Sequence, residues 1–249
     1  MYNPSTFNNT YAIYIFPYIH AVDMIDEIEF KLITDELVRR PLAVCSSRRT
    51  CGIGSTQTFG LIRKRRTPHG PSAISRDRPF LYNLLLEFGS KHINHPFTAI
   101  TLNMNYRCEP HKDRGNEGES TVVGFGNYTG GELCVEENLF DVRHTPITMD
   151  FSSTTHWVGE FSGERYSMVF YNCKLPDGFK VPALRVGCIN GKDTLFVDGK
   201  PLIYNKHQRS KKYKKRAVKG ATGIINKLIS FGSRVLSSFR SRTFLKSSS

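Results

Sequence analysis

Between Thr98 and Asn172 the sequence breaks into short runs: TAITLNMNY, STVVGFGNY, ELCVEE, TPITMDF and RYSMVFYN. Each alternates apolar with polar residues and is bounded by Gly, Asn, Asp or Ser. A period of two belongs to half-buried strands, and a succession of such strands predicts a β-sandwich or barrel. TLFVDGKPLIY adds a hairpin turning at Asp198-Gly199, because both positions of a two-residue turn favour residues that accept a positive φ. Upstream the period changes. In AVDMIDEIEFKLITDELVRRP, Val22, Ile25, Ile28, Leu32 and Ile33 recur at helical spacing, ending at Pro41. DRPFLYNLLLEFGSKH predicts a second helix, with Asp77 at the cap, Pro79 in the first turn and Gly89 past the end. Residues 42–76 predict loops with short strands. Helices first and strands second make an α+β fold, with the helices packed on one side of the sheets.

Charge divides the chain further. Residues 206–249 hold thirteen of its 35 Lys and Arg residues and no acid, which leaves 22 basic residues against 22 acidic ones elsewhere. The body is formally neutral, and the whole +13 sits in the tail. Three parts follow: a helical support region over 1–51, a core with its C-terminal hairpin over 52–205, and a basic tail over 206–249. The six cysteines form no CxxC pair, which argues against a zinc module or a disulfide framework and for a reducing, intracellular setting. The apolar stretch YAIYIFPYIHAV is too short to span a bilayer and lacks a basic leader. No transmembrane segment or secretion signal is therefore expected.

Within the strand region, CEPHKDRGNEGES places His111 and Asp113 two residues apart, followed by the turn-forming residues Asn116, Gly118 and Ser120. Side chains two apart on an extended chain point the same way, so imidazole and carboxylate can meet at one point. A third ligand is expected from a later histidine, either His144 or His156. His156 precedes Arg165 by nine residues, and Arg165 and Ser167 share a strand face opposite Tyr166, Met168 and Phe170. His144 stands before a proline-containing strand with no arginine at a useful spacing and reads as structural. Two histidines and a carboxylate with open positions form the facial triad of non-haem Fe(II) oxygenases. A planar guanidinium beside a hydroxyl suits the carboxylate of a co-substrate.

The ordered series His111-x-Asp113, GGEL at 130–133, His156 and Arg165-x-Ser167 resembles the double-stranded β-helix (jelly-roll) core of the 2-oxoglutarate/Fe(II)-dependent dioxygenases. Within that superfamily NMNYRCEPHKDRGNEGES, GNYTGGEL and THWVGEFSGERYS are most similar to the TET/JBP-like branch of eukaryotes, algae and large viruses. The resemblance implies Fe(II) on His111, Asp113 and His156, with 2-oxoglutarate and O2 as co-substrates. Arg165 and Ser167 would hold the far carboxylate of 2-oxoglutarate, with Asn105 in contact with it. Asn103, on the same strand face, divides evenly between co-substrate contact and a bond to a neighbouring strand. The activity implied is hydroxylation of a methyl group on a nucleic-acid base, of 5-methylcytosine or thymine type, with 2-oxoglutarate decarboxylated to succinate and CO2. The cysteine-rich zinc region of the animal enzymes and the separate DNA-binding domain of the kinetoplastid ones have no counterpart here.

Two other readings stand beside this one. Prolyl hydroxylases share GGEL and the His-to-Arg spacing, which allows a protein side chain as substrate. A metal-free scaffold with the tail as a nucleic-acid or membrane tether is the third reading, opposed by the intact triad. KHQRSKKYKKRAVK reads as a phosphate-binding or nuclear-import segment, which favours nucleic acid, DNA over RNA, and a nuclear or virion-associated protein. Residues 221–240 have the pattern of a basic amphipathic helix suited to a membrane surface or a partner protein. Trp157 is expected in the core, Gly130 and Gly131 in a tight turn, and Cys108 as a small buried residue rather than a ligand.

Overall fold

The computed structural model describes residues 24–43, 54–62 and 69–203, and in it the period-two runs become strands. The elements are helix α1 (Ile28–Arg39), strands β1 (Ser55–Ile62) and β2 (Gly70–Pro71), a short helix α2 (Ala73–Asp77) and helix α3 (Pro79–His92). Strands β3 (Ala99–Met104), β4 (Asn116–Phe125), β5 (Tyr128–Gly130), β6 (Leu133–Val135) and β7 (Asn138–Phe140) follow. Then come β8 (Ile147–Met149), β9 (His156–Val158), β10 (Phe161–Gly163), β11 (Tyr166–Cys173), β12 (Leu184–Ile189), β13 (Lys192–Val197) and β14 (Lys200–Pro201).

The largest sheet has the order β2-β1-β3-β11-β4-β8, and a smaller one the order β7-β6-β9; the named pairings are antiparallel. One face of the large sheet carries Phe59, Ile100, Leu102, Val123, Phe125, Met168 and Phe170, which pack with Phe30, Ile33, Leu37, Leu81, Leu85 and Phe88 of the helices. Its other face meets the small sheet through Val122 and Ile147 against Leu133 and Val135, with Val142 and Phe151 between. Helices thus cover one side of a mostly antiparallel sandwich, the layering of a jelly-roll core.

Several local expectations shift. In α1 the inward stripe is Phe30, Ile33 and Leu37, while Ile28 and Leu32 are exposed. Asp77 does not cap α3. Arg78 stands there, its guanidinium donating to buried Glu36 (3.0 Å), and Ser72 caps α2. Gly89 lies inside α3, since a β-carbon there would meet the rings of Phe97 at 2.5 Å and Phe170 at 2.8 Å. Asn116 opens β4, so the turn after Asp113 is shorter than the run of Asn, Gly and Ser suggested. Asp198-Gly199 turns β13 into β14 with φ of 50° and 75°, and Asn190-Gly191 makes an equivalent turn from β12 into β13. No helix of the described residues is long and apolar enough to cross a membrane. The readings placed on residues 206–249 lie outside the described residues.

Candidate metal and anion site

β9 supplies His156 at the point where the chain pairs with the segment before β4. His111 and His156 exchange both backbone hydrogen bonds (3.0 and 2.9 Å), a two-residue bridge that sets their rings 4.4 Å apart. The backbone N–H of Asp113 donates to the Phe151 carbonyl (2.9 Å), which fixes the carboxylate beside them. The ligand-capable atoms of His111, Asp113 and His156 all lie within 4.8 Å of one another. Asp113 Oδ1 is 3.5 Å from His111 Nε2, and Oδ2 is 3.8 Å from His156 Nε2.

The backbone decides which nitrogens face inward. Nδ1 of His111 lies 2.8 Å from the Glu109 carbonyl and Nδ1 of His156 lies 3.2 Å from the Thr154 carbonyl. A carbonyl only accepts, so each Nδ1 carries a proton and each ring turns its Nε2 to the shared point, where it offers a lone pair once no proton occupies it. The Asp113 carboxylate, followed by Cys108, holds the His111 imidazole protonated up to about 11, because its Nε2–H points at an anion. Burial pushes His156 the other way, toward the neutral form. A cation at the shared point would replace the proton between His111 and Asp113, and two imidazoles with one carboxylate match the donor set of a divalent transition metal.

The three side chains line a cavity of about 530 Å³ that runs to Arg165. Arg165 is 2% exposed and among the largest fully buried side chains. Its Nε donates to the Gly131 carbonyl (3.1 Å), and Nη1 is 3.5 Å from Ser167 Oγ. The Tyr128 and Phe161 rings stand 5.5 and 5.7 Å from its guanidinium carbon. No carboxylate among the described residues pairs with it, and burial pulls its pKa down. A buried guanidinium without a counter-ion is costly, so the cavity is built for an anion. Gly131 makes room for it: a β-carbon would stand 2.8 Å from Arg165 Cδ and Nε. The GG pair therefore clears the path of an arginine as well as turning the chain.

Beside Arg165 a row of polar side chains crosses three strands, Thr56 opposite Asn103 and Asn103 opposite Ser167. Asn103 Nδ2 donates to Ser167 Oγ (3.2 Å), whereas Asn103 Oδ1 and Thr56 Oγ1 are buried without a partner among the described residues. Orphaned polar atoms beside an uncompensated cation fit a polar guest that completes them. Thr56 had no signal in the sequence, since its place in the row depends on β1 pairing with a strand more than forty residues away.

The structure brings together His111, Asp113, His156, Arg165 and Ser167 on one cavity. Asn105 is not among its lining residues. It leaves β3 with φ of 49°, is exposed, and spends its Oδ1 accepting the Arg165 backbone N–H (2.8 Å). The cavity contact expected of Asn105 falls to Asn103. His144 lies on the helix side, its ring stacked on Phe30 at 4.9 Å. Trp157 is half-buried, because β9 turns His156 and Val158 inward and its middle residue outward. Cys108 is buried and lines the cavity without joining the ligand cluster.

No family model and no curated protein matches the chain. Among solved structures it is similar to NgTET1 in complex with 5mC DNA, at 13% identity and a TM-score of 0.45, over 61% of this chain and 69% of that one. It is also similar to a 2OG-Fe(II) oxygenase family oxidoreductase from Burkholderia pseudomallei (16% identity, TM-score 0.44, 59% and 79%). A third is a Pseudomonas putida prolyl-4-hydroxylase (14%, 0.37, 59% and 85%). At these values the chemistry of the site rests on its own geometry.

Proposed function

We propose that the protein is an Fe(II)/2-oxoglutarate-dependent dioxygenase that hydroxylates a methyl group on a nucleic-acid base. The observation that carries the reading is a single cavity that holds, among the described residues, two inward-facing Nε2 atoms, one carboxylate and a buried arginine paired with no acid. His111, Asp113 and His156 would hold the iron. With 2-oxoglutarate and O2, bound Fe(II) supplies an oxidant able to hydroxylate an unactivated C–H bond, leaving succinate and CO2.

The chain's own residues do the rest. Arg165 and Ser167 hold the far carboxylate of the co-substrate, with the Thr56 hydroxyl as a further donor and Asn103 Nδ2 orienting the Ser167 hydroxyl. The Glu109 and Thr154 carbonyls keep both imidazoles in the tautomer that offers Nε2. Leu133, Val158 and Phe151 line the cavity with apolar surface that limits water near the reacting centre. A base in a duplex must leave the stack to enter such a cavity. The base as substrate is supported by the cationic 206–249 segment and by the resemblance of the three motifs to the TET/JBP-like branch.

The test is product analysis. Purified protein is incubated with Fe(II), 2-oxoglutarate and, separately, methylated DNA, methylated RNA or a peptide pool, and products are read by mass spectrometry. A gain of one oxygen on a methylated base, with matching succinate, is expected. Oxygen on a peptide side chain would assign the protein hydroxylase reading instead, and no succinate with any substrate would overturn the dioxygenase reading.

A further inference from the structure

HKDR interleaves two kinds of residue. His111 and Asp113 belong to the ligand cluster, while Lys112 and Arg114 between and after them are exposed and also line the cavity. The Lys112 ammonium is tethered by donating to the Ser153 carbonyl (2.6 Å), which holds it at the rim. Neither cation has an acidic partner among the described residues, whereas Arg107 on the same connection pairs with Glu160 at 3.2 Å.

Charge counting separates the interior from the rim. Among the described residues Asp113 is the one carboxylate that lines the cavity, set against the permanent cations Lys112, Arg114 and Arg165. A divalent metal and a dicarboxylate co-substrate cancel each other, and Asp113 and Arg165 cancel as well. The loaded interior is then neutral, and a charge of +2 remains at the mouth on Lys112 and Arg114. The co-substrate has no further charge to offer them, so their anion comes with the primary substrate.

We propose that Lys112 and Arg114 form a phosphate clamp that receives the backbone on either side of the reacting nucleotide. The inference rests on the base-hydroxylase reading and adds where the substrate backbone lies. A nucleotide flipped into a cavity leaves its two flanking phosphates at the opening. One ammonium and one guanidinium meet them there, the second as a planar fork that matches a phosphate's oxygens. The clamp and the metal site share one tetrapeptide, so seating the phosphates positions the base relative to the ligands.

The experiment compares two charge-matched double variants of the full chain. K112Q/R114Q removes the clamp, and K192Q/K200Q removes two exposed cations of the β13–β14 hairpin that do not line the cavity. Binding of a labelled single-stranded pentanucleotide carrying one central 5-methylcytosine is followed by fluorescence anisotropy across a salt series. Each lost phosphate contact on a single strand lowers the salt slope by about 0.7. K112Q/R114Q is expected to lose about 1.4 from the slope and roughly ten- to hundredfold in affinity at low salt. K192Q/K200Q should track the wild type, and metal content, measured in parallel, should match in all three proteins. Equal losses in both variants would show a general charge effect and overturn the clamp. So would an acidic peptide of equal charge that binds as tightly and depends equally on Lys112 and Arg114. A wild type that binds the pentanucleotide at no salt concentration sinks the nucleic-acid reading itself. A wild type that binds, with K112Q/R114Q unchanged, sinks the clamp alone.

Discussion

The two faces of the six-stranded sheet are made by the same strands on opposite terms. Along β11, Tyr166, Met168 and Phe170 enter an apolar layer with the helices, and Phe170 stands 6.0 Å from Phe88 and 5.1 Å from Phe97. One residue out of step, Ser167, Val169 and Tyr171 line the cavity. On β3, Leu102 and Asn103 divide in the same way. The helix side pairs its buried charge internally, Arg78 with Glu36 at 3.0 Å, while among the described residues the cavity face keeps a cation without a paired carboxylate beside polar atoms without partners. Alternation thus assigns stability to one parity and ligand binding to the other. A ligand-binding face is where a fold tolerates polarity that the protein itself does not pair.

The contrast predicts that substitutions separate by face. The largest effect should follow Asp113→Ala. Its carboxylate is a third exposed and lies outside the apolar clusters, touching His111, His156 and the Asn116 amide, so the chain should stay folded. Iron content and succinate release should nevertheless fall to background, measured by elemental analysis and coupled assay. A variant that still holds stoichiometric iron would break the assignment of the cavity face.

Phe170→Ala should do the reverse. Removing a fully buried ring that packs on Phe88 and Phe97 costs about 3–5 kcal/mol, read from urea unfolding. Molecules that remain folded should keep their iron. A loss below about 1 kcal/mol would mean that the helix layer is not what holds the sheet.

Arg165→Met sharpens the comparison, because it removes the charge and keeps much of the length. The metal-free fold should be as stable as the wild type or more so, since a buried, unpaired guanidinium is destabilising. Affinity for 2-oxoglutarate should fall by roughly one to two decades, the equivalent of about 1.5–3 kcal/mol for a charge-assisted contact. Calorimetry of co-substrate binding and thermal melts of the free protein decide it. A marked drop in melting temperature would make Arg165 a structural residue.

Much of this was legible before any coordinates. The strand runs announced themselves by period, and the convergence of His111 with Asp113 followed from their spacing of two. The placing of Arg165 and Ser167 on one face followed from alternation alone. What escaped depended on distant pairing. Thr56 reaches the cavity only because β1 adds to β3, and no local pattern encodes that register. Asn103 and Asn105 look equivalent along a strand, but the strand ends at Met104, and the backbone turns Asn105 out with a positive φ. Gly89 looks like a helix terminator until Phe97 and Phe170 occupy the space of its β-carbon. Trp157 looked like core because it is large, yet on β9 the inward positions belong to His156 and Val158.

The smallest expected effect concerns the rival histidine. His144 lies on the helix side of the sheet, with its backbone N–H donating to the Gly124 carbonyl (2.8 Å) and its own carbonyl accepting from Ile25 (2.7 Å). Its φ is 57°, in the left-handed region, where asparagine is among the better-tolerated residues. His144→Asn therefore keeps the backbone preference and both main-chain bonds, and removes only the ring stacked on Phe30. Loss of an aromatic contact of this kind costs about 0.5–1.5 kcal/mol beyond the area uncovered. Iron content and the apparent affinity for 2-oxoglutarate should be unchanged, because the ring faces the helices and takes no part in the ligand cluster. The measurement pairs a urea titration with metal analysis on the same preparation. A small fall in stability with full iron places His144 with the packing face. Iron lost at unchanged stability would move the third ligand to the wrong side of the sheet and break the division of labour between the two parities.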